Sequence, residues 1–189
     1  IPGYRKPVVL SGDDTFTSGP LTDPLDTALK LGPAQSQLYS YIAPNTYSVL
    51  ADKGDLWAFV SDTPGVASYY DVLPGSGTVV TGHFIKVPKD IATGVKADGT
   101  ELKAADRGYP LPPTDGSWQR DLRSVAPLGI DGPQWVLEYW SDISNVFQFV
   151  RVEDLAYDPV NPRVVYFADT GTNRLVESEV EAEHAHRVV

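Results

Sequence analysis

The chain has 189 residues and a formal net charge of −10. This charge argues against nucleic acid as a partner, because phosphate binding requires a basic face. The sequence contains no cysteine, which excludes disulfides, a thiolate nucleophile and thiolate metal ligands. Its 16 glycines, 16 prolines and many aromatic residues favour short strands joined by turns over long helices.

The sequence also bears on processing, on membrane insertion and on domain organisation. The sequence contains no methionine, so we expect a processed chain or a fragment of a longer protein. No apolar run approaches the roughly 20 residues that cross a bilayer, so we expect no membrane span. Residues 1–189 are interpreted as a single region with a polar tail at 177–189. The acidic part of this tail, 177–186, is expected to be helical or frayed.

Six runs of apolar or alternating residues predict strands. In chain order they are residues 6–10, 37–42, 55–60, 78–87, 155–157 and 164–167. Each run buries only one or two faces, so we expect antiparallel sheets and not one parallel sheet flanked by helices. The sequence therefore predicts an all-β fold.

The segments between these runs are rich in turn-forming residues. Residues 16–36 predict a polar surface loop with one helical turn at 25–31. Residues 88–116 predict a second loop, with a turn at Asp98-Gly99.

One short helix is predicted over residues 133–149. Its apolar side chains recur near 3.6-residue spacing, and these are Trp135, Tyr139, Ile143, Val146, Phe147 and Val150. Asp131 can cap this helix, and Pro133 suits the first turn because that turn leaves its amide hydrogens unpaired. We interpret the aromatic residues as core packing.

A weak internal repeat links the two ends of the chain. Residues 8–15 and 164–170 are both β-like runs that end in Asp-Thr and enter a polar turn. Repeated short strands with glycine and aspartate turns are typical of a propeller or a related array of sheets. We therefore expect part of a β-propeller, built from several four-stranded antiparallel blades.

The segment 151–170 supports this interpretation. It reads Arg-Val-Glu-Asp-Leu-Ala-Tyr-Asp-Pro and later Val-Val-Tyr-Phe-Ala-Asp-Thr. This is similar to the Arg-x-Glu-Asp … Val-Tyr-Phe pattern of PhoX-type alkaline phosphatases and their propeller relatives. Residues 6–14, 37–41 and 54–59 are similar to the region just upstream in that family.

The resemblance implies an exported propeller that is secreted, periplasmic or held at the cell surface. It also implies a calcium and iron cluster, Ca²⁺ with Fe³⁺, and phosphomonoesterase activity on a phosphoester substrate. Glu153 would be a metal ligand facing the central channel. The partners would be the missing propeller blades or a second chain. That family uses a cysteine ligand to iron, and this chain has none.

Adjacent carboxylates at Glu153 and Asp154 suit a hard cation, which prefers oxygen ligands. On an extended strand, neighbouring side chains point to opposite faces, so only one of the two reaches a given site. The resemblance selects Glu153, and the alternative is a surface acid beside Arg151. Asp158-Pro159 predicts a turn and not a ligand.

Other candidate residues have simpler alternatives. Asp13 and Asp14 are secondary metal candidates, although capping of a turn explains them more simply. His184 and His186 have the spacing of a metal pair, although solvated histidines explain them more simply. His83 is interpreted as a structural histidine.

Two functions remain open from the sequence. The first is a metal-dependent phosphoester hydrolase, in which one of Arg120, Arg151 or Arg163 steadies the phosphate. The second is a non-catalytic extracellular propeller that acts as a scaffold, adhesin or surface-layer component with structural calcium.

Overall fold

The computed structural model describes residues 6–12, 36–68, 71, 79–111, 132–149, 152–161, 164–169 and 185–188. The strands in these ranges are β1 Val8–Gly12, β2 Leu38–Ile42, β3 Asp55–Ser61, β4 Gly82–Lys86, β5 Val152–Tyr157, β6 Val165–Asp169 and β7 Ala185–Val188. The helices are α1 Thr46–Leu50, α2 Lys89–Thr93 and α3 Pro133–Ile143, with a 3-10 turn at Ala104–Arg107.

The strands form two antiparallel sheets. Sheet 1 has the order β1-β2-β3-β4, and sheet 2 has the order β5-β6-β7. Strands that follow one another in the sequence are therefore neighbours in each sheet, which confirms the predicted antiparallel arrangement. Within the described ranges, the two sheets close neither a barrel nor a propeller.

Several predicted boundaries are wrong. The predicted helix at 133–149 ends at Ile143, and residue 146 instead forms a bridge with Val60 of β3. Asn145 has a φ of 55°, which lies in the left-handed region and breaks the helix. Gly132 takes the cap position that was expected of Asp131, while Pro133 occupies the first turn as predicted.

The predicted loop at 88–116 contains two short elements, α2 and the 3-10 turn. The Asp98 carboxylate accepts hydrogen bonds from the Thr100 amide and hydroxyl, which confirms the predicted turn at Asp98-Gly99.

The strand predicted at 78–87 is confined to β4. Of the segment predicted to be helical or frayed, 177–186, only the last two residues are described, and they begin strand β7. The helical turn predicted at 25–31 lies outside the described residues.

Each face of sheet 1 is covered by a different layer. The helix face carries Tyr39, Ala58 and Ile85, which pack with Trp135, Val136 and Trp140 of α3. The opposite face, called here the phenylalanine face, carries Leu38, Phe59 and Phe84. These pack with Phe147, Phe149, Val152 and Phe167. The alternation of side chains along each strand sends neighbouring residues into the two separate cores.

A chain of aromatic contacts joins the two sheets. The ring centroids of Phe59 and Phe147 lie 6.0 Å apart, those of Phe147 and Phe149 lie 4.6 Å apart, and those of Phe149 and Phe167 lie 5.3 Å apart. Edge-to-face aromatic pairs of this kind add about 0.5–1.5 kcal/mol beyond the burial of their area. The segment from Phe147 to Phe149 therefore fastens β6 of sheet 2 to β3 of sheet 1.

The longest helix among the described residues is α3, with 11 residues. A helix needs about 20 apolar residues to cross a bilayer. In these ranges, no helix has the length and apolar character of a membrane span.

Candidate functional site

Glu153 is the second residue of β5, where it pairs with Ala168 of β6. Its neighbour Val152 is 2% exposed and faces the core between the sheets. Alternation along the strand places Glu153 on the other face of sheet 2, where it is half-buried and has a partner of its own.

A β-bulge follows Glu153. The pairing with β6 shifts between Glu153 and Ala156, so that two residues of β5 lie opposite the single residue Phe167. One of them, Asp154, has a φ of 48° and is exposed to solvent. Aspartate tolerates this left-handed conformation better than most residues.

The bulge changes which side chains reach the core. In a regular strand, residues 152 and 155 would face opposite sides, because they are three positions apart. With the extra residue, both Val152 and Leu155 pack in the same core cluster. The predicted simple alternation therefore fails after Glu153. Glu153 is half-buried and Asp154 is exposed.

The backbone before Glu153 is held by one buried residue, Ser36. The Val152 amide donates a hydrogen bond to Ser36 Oγ at 2.9 Å. The Phe149 amide donates to the Ser36 carbonyl oxygen at 2.7 Å. Ser36 is 0% exposed, so both bonds form away from water.

The start of β5 also meets the end of β1. Gly12, which precedes Asp13 in the sequence, lies directly against Val152, which precedes Glu153. At the other end of β5, the Tyr157 hydroxyl donates to the Val8 carbonyl oxygen at 3.4 Å. The two strands therefore run side by side in opposite directions, with Glu153 at the end where β1 finishes. Asp13 and Asp14 themselves lie outside the described residues.

The oxygen ligands around Glu153 can be compared with the number that a Ca²⁺ ion requires. Ca²⁺ takes 6–8 oxygen ligands, and the Glu153 carboxylate supplies oxygen of the required kind. Among the described residues, no group of three or more His, Cys, Asp or Glu side chains lies together. Glu153 therefore fits as one ligand of such a site, and further ligands have to come from elsewhere.

Asp158 closes the turn between β5 and β6, as the sequence predicts. Its Oδ1 accepts hydrogen bonds from the amides of Val160 and Asn161, at 2.7 and 2.8 Å. Its Oδ2 accepts from the Tyr166 hydroxyl at 2.9 Å. Both oxygens of this carboxylate are thus engaged within the turn and its flanking strand.

Of the other candidate histidines and arginines, two lie on described strands and the rest lie outside the described residues. His83 lies on β4, and its Nδ1 contacts both carboxylate oxygens of Asp62, at 2.9 and 3.0 Å. Both side chains are about half exposed. His186 lies in β7. His184 and the candidate phosphate-binding residues Arg120, Arg151 and Arg163 lie outside the described residues.

Sequence reasoning missed a buried carboxylate, Glu138 of α3, which is 5% exposed. Gln37 Nε2 donates to Glu138 Oε2 at 3.1 Å and to Gln148 Oε1 at 3.0 Å. The Tyr39 hydroxyl lies 3.4 Å from Gln37 Oε1 and 3.2 Å from Ser141 Oγ. This network joins α3 to sheet 1.

The spacing of residues along α3 indicates that Glu138 is buried. Glu138 follows Trp135 by three residues, so the two side chains share one face of α3. A charged residue on the apolar face of a helix has to be hydrogen-bonded there, because an unpaired buried charge is strongly unfavourable.

Comparisons were made with protein-family models, with curated proteins and with solved structures, and none of them gave a significant match to this chain.

Proposed function

We propose that this chain is part of an exported β-propeller that binds Ca²⁺ through Glu153, with Asp13 or Asp14 as further ligands, and hydrolyses phosphoesters. The proposal extends the resemblance of residues 151–170 to PhoX-type phosphatases. The four-stranded antiparallel order of sheet 1 supports it, because such sheets are the blades of propellers. Further blades, or a second chain, would complete the ring.

The single observation that carries the proposed site is the contact between Gly12 and Val152. This contact places Gly12, the last residue of β1, beside the residue that precedes Glu153 in β5. It supports the proposal because Asp13 and Asp14 follow Gly12 in the sequence. A site for a hard cation requires several oxygens from separate segments.

In the proposed reaction, Glu153 holds and orients the metal, and one of Arg120, Arg151 or Arg163 steadies the phosphate. Bound Ca²⁺, with Fe³⁺ as the second metal that the resemblance implies, supplies polarisation of the phosphoryl oxygen and neutralises its charge. Glu153 lies beside a bulge, a feature that recurs next to active sites because it redirects side chains.

The test is Ca²⁺ binding by calorimetry, together with metal content and hydrolysis of p-nitrophenyl phosphate. Glu153→Gln keeps the size of the side chain and removes its charge, and we expect it to lower both Ca²⁺ affinity and turnover. Asp158→Asn is the matched control, because it alters a carboxylate at the other end of β5 that is engaged in a turn. Equal Ca²⁺ affinity in Glu153→Gln and in the unaltered protein would contradict the proposal.

A second function, a non-catalytic extracellular scaffold, adhesin or surface-layer component with structural calcium, is favoured by the contact that joins the end of β1 to the start of β5. A cation that joined β1 to β5 would stabilise their packing without any reaction, because a ligand that binds only the folded state raises its stability. The two functions differ in one result. The scaffold gains thermal stability from Ca²⁺ and shows no turnover, whereas the hydrolase shows both.

A further inference from the structure

We propose that Tyr109 and Tyr139 form an oxidative cross-linking site, at which a haem peroxidase with H₂O₂ joins the two rings as dityrosine. Their ring centroids lie 4.6 Å apart, and the ring planes are tilted by 48°. This centroid separation is close to that of two benzene rings joined by a single carbon–carbon bond. Both side chains are half-buried, so the pair combines ring contact with access from solvent.

Neighbouring contacts hold the two tyrosines in this arrangement. The Tyr109 amide donates a hydrogen bond to the carbonyl oxygen of buried Ala104 at 3.0 Å. Buried Trp135 donates from Nε1 to the Pro110 carbonyl oxygen, and its ring centroid lies 5.9 Å from that of Tyr139. Two reacting groups held in contact behave as if they were at a very high local concentration. Coupling within one molecule is therefore favoured over coupling between molecules.

The composition of the chain directs oxidation to its aromatic rings. The sequence contains no cysteine and no methionine, whose sulfur atoms oxidants attack readily, but it contains ten tyrosines. Because disulfides are excluded, a covalent cross-link in this chain has to be made by other side chains. Tyrosine rings in contact with each other meet this requirement.

The reaction removes two electrons and two protons from the pair. Each phenol gives one electron to the ferryl haem of the peroxidase and releases its hydroxyl proton. Burial raises the pKa of Tyr109, so this hydroxyl is protonated at neutral pH and its proton leaves with the electron. The two radicals join through ring carbons next to the hydroxyl groups. The hydrogen atoms on those carbons then move to the oxygens and restore both hydroxyl groups, and H₂O₂ is reduced to two molecules of water.

The cross-link would fasten the segment that carries α2 and the 3-10 turn to helix α3. Both of these short elements pack against α3, and Tyr109 follows the 3-10 turn directly after Gly108. A covalent bond between two parts of a chain restricts the unfolded state and thereby stabilises the folded one. We therefore expect the oxidised monomer to unfold at a higher urea concentration than the untreated protein.

The experiment treats the folded protein with a haem peroxidase and H₂O₂, isolates the monomer and digests it with trypsin. Trypsin cleaves after arginine, so the two tyrosines fall in separate peptides, 108–120 and 124–151, each with a single tyrosine. We expect mass spectrometry to find these peptides joined, with a mass two hydrogen atoms below their sum. The yield per molecule should stay constant on dilution, because the coupling is intramolecular.

Variants test whether these two hydroxyl groups are required. Tyr109→Phe and Tyr139→Phe each keep an aromatic ring for packing and remove the hydroxyl group, and circular dichroism checks their folding. Each is expected to lose the joined peptides and the rise in urea midpoint on oxidation. Tyr47→Phe is the matched control, because Tyr47 is 77% exposed and makes no ring contact within the described ranges. This variant should keep both results.

Three results would overturn the proposal. The first is the absence of joined peptides 108–120 and 124–151 from the oxidised monomer, a result that depends on no variant. The second is dityrosine found in cross-linked dimers alone, which would show that coupling between molecules is faster. The third is loss of the cross-link in Tyr47→Phe, which would show that exposure and not ring contact decides the site.

Discussion

Gly12 of β1 lies so close to Val152 of β5 that a β-carbon at residue 12 would come within 2.3 Å of the Val152 carbonyl oxygen and 2.5 Å of Val152 Cγ1. Contacts this short do not occur between atoms that are not bonded, so any side chain at residue 12 has to push the two strands apart. Glycine at this position is therefore required by the close approach of the sheets.

Gly12→Ala is expected to lower the free energy of unfolding by about 1–3 kcal/mol, the usual cost of overpacking. Urea denaturation measures this change. Ser11→Ala is the control, because Ser11 is the exposed neighbour on the same strand and should change stability by less than about 0.5 kcal/mol. A Gly12→Ala protein as stable as the control would show that the strands separate without cost.

The left-handed backbone of Asp154 leads to a second prediction. Glycine adopts a φ of 48° without steric cost, whereas a β-branched residue is strongly disfavoured there. We expect Asp154→Gly to match or exceed the stability of the unaltered protein, and Asp154→Val to lose about 1–2 kcal/mol. Ala156→Val, at an exposed position later in β5, is the control and should be tolerated. Equal stability of the two Asp154 variants would rule out the left-handed bulge.

The ion pair between α2 and the 3-10 turn predicts an acid-dependent loss of stability. Arg107 Nε donates to Asp90 Oδ2 at 3.0 Å, and this hydrogen bond lowers the pKa of Asp90. The unfolded value is about 3.9, so the stabilisation is fully present above that pH and is lost as the pH falls through the lower folded pKa.

Asp90→Asn should therefore lower the urea midpoint at about pH 7 and have a much smaller effect at about pH 2.5. Arg107→Gln removes the other partner and should reproduce the loss at neutral pH. If Asp90→Asn costs the same at both pH values, the carboxylate charge does not contribute to folding.

Replacement by phenylalanine is expected to affect stability differently at Trp57 and at Trp135. The Trp57 indole nitrogen is buried and has no hydrogen-bond partner among the described residues, whereas Trp135 Nε1 donates to the Pro110 carbonyl oxygen at 2.8 Å. Trp57→Phe removes a donor that gains nothing in the folded state, so we expect a change in unfolding free energy below about 1 kcal/mol. Trp135→Phe leaves a carbonyl unpaired and a cavity in the core, and should cost clearly more. Equal losses in denaturant titrations would contradict this account.

The strands were predictable from the sequence because their signal is local. The alternating run at 37–42 and the apolar run at 55–60 correspond to β2 and β3 within one or two residues. The short elements α1 and α2 were not predicted, since each has five residues and no room for a helical repeat. Asn45, whose side chain accepts from the Ser48 amide, is the one local signal that marks α1.

The surroundings of Glu153 were predictable only in part. Its place at the start of a β-run followed from the local pattern, but the bulge did not, because a single extra residue alters the strand's periodicity too briefly to be recognised. Ser36 gave no signal at all. Its role depends on a contact with Val152, and a single sequence does not record which distant residues meet.

The bond from Ser36 to Val152 joins residues that lie 116 positions apart in the sequence. Synthesis on the ribosome proceeds from the amino end, so β1 to β4 emerge well before Phe149, Val152 and Phe167, which cover the phenylalanine face. Until then Leu38 and Phe59 lack the part of their apolar cover that these three side chains provide. A nascent chain with such a surface is prone to aggregation and is a substrate for chaperones. Cellular yield should therefore fall steeply when translation stalls between β4 and β5.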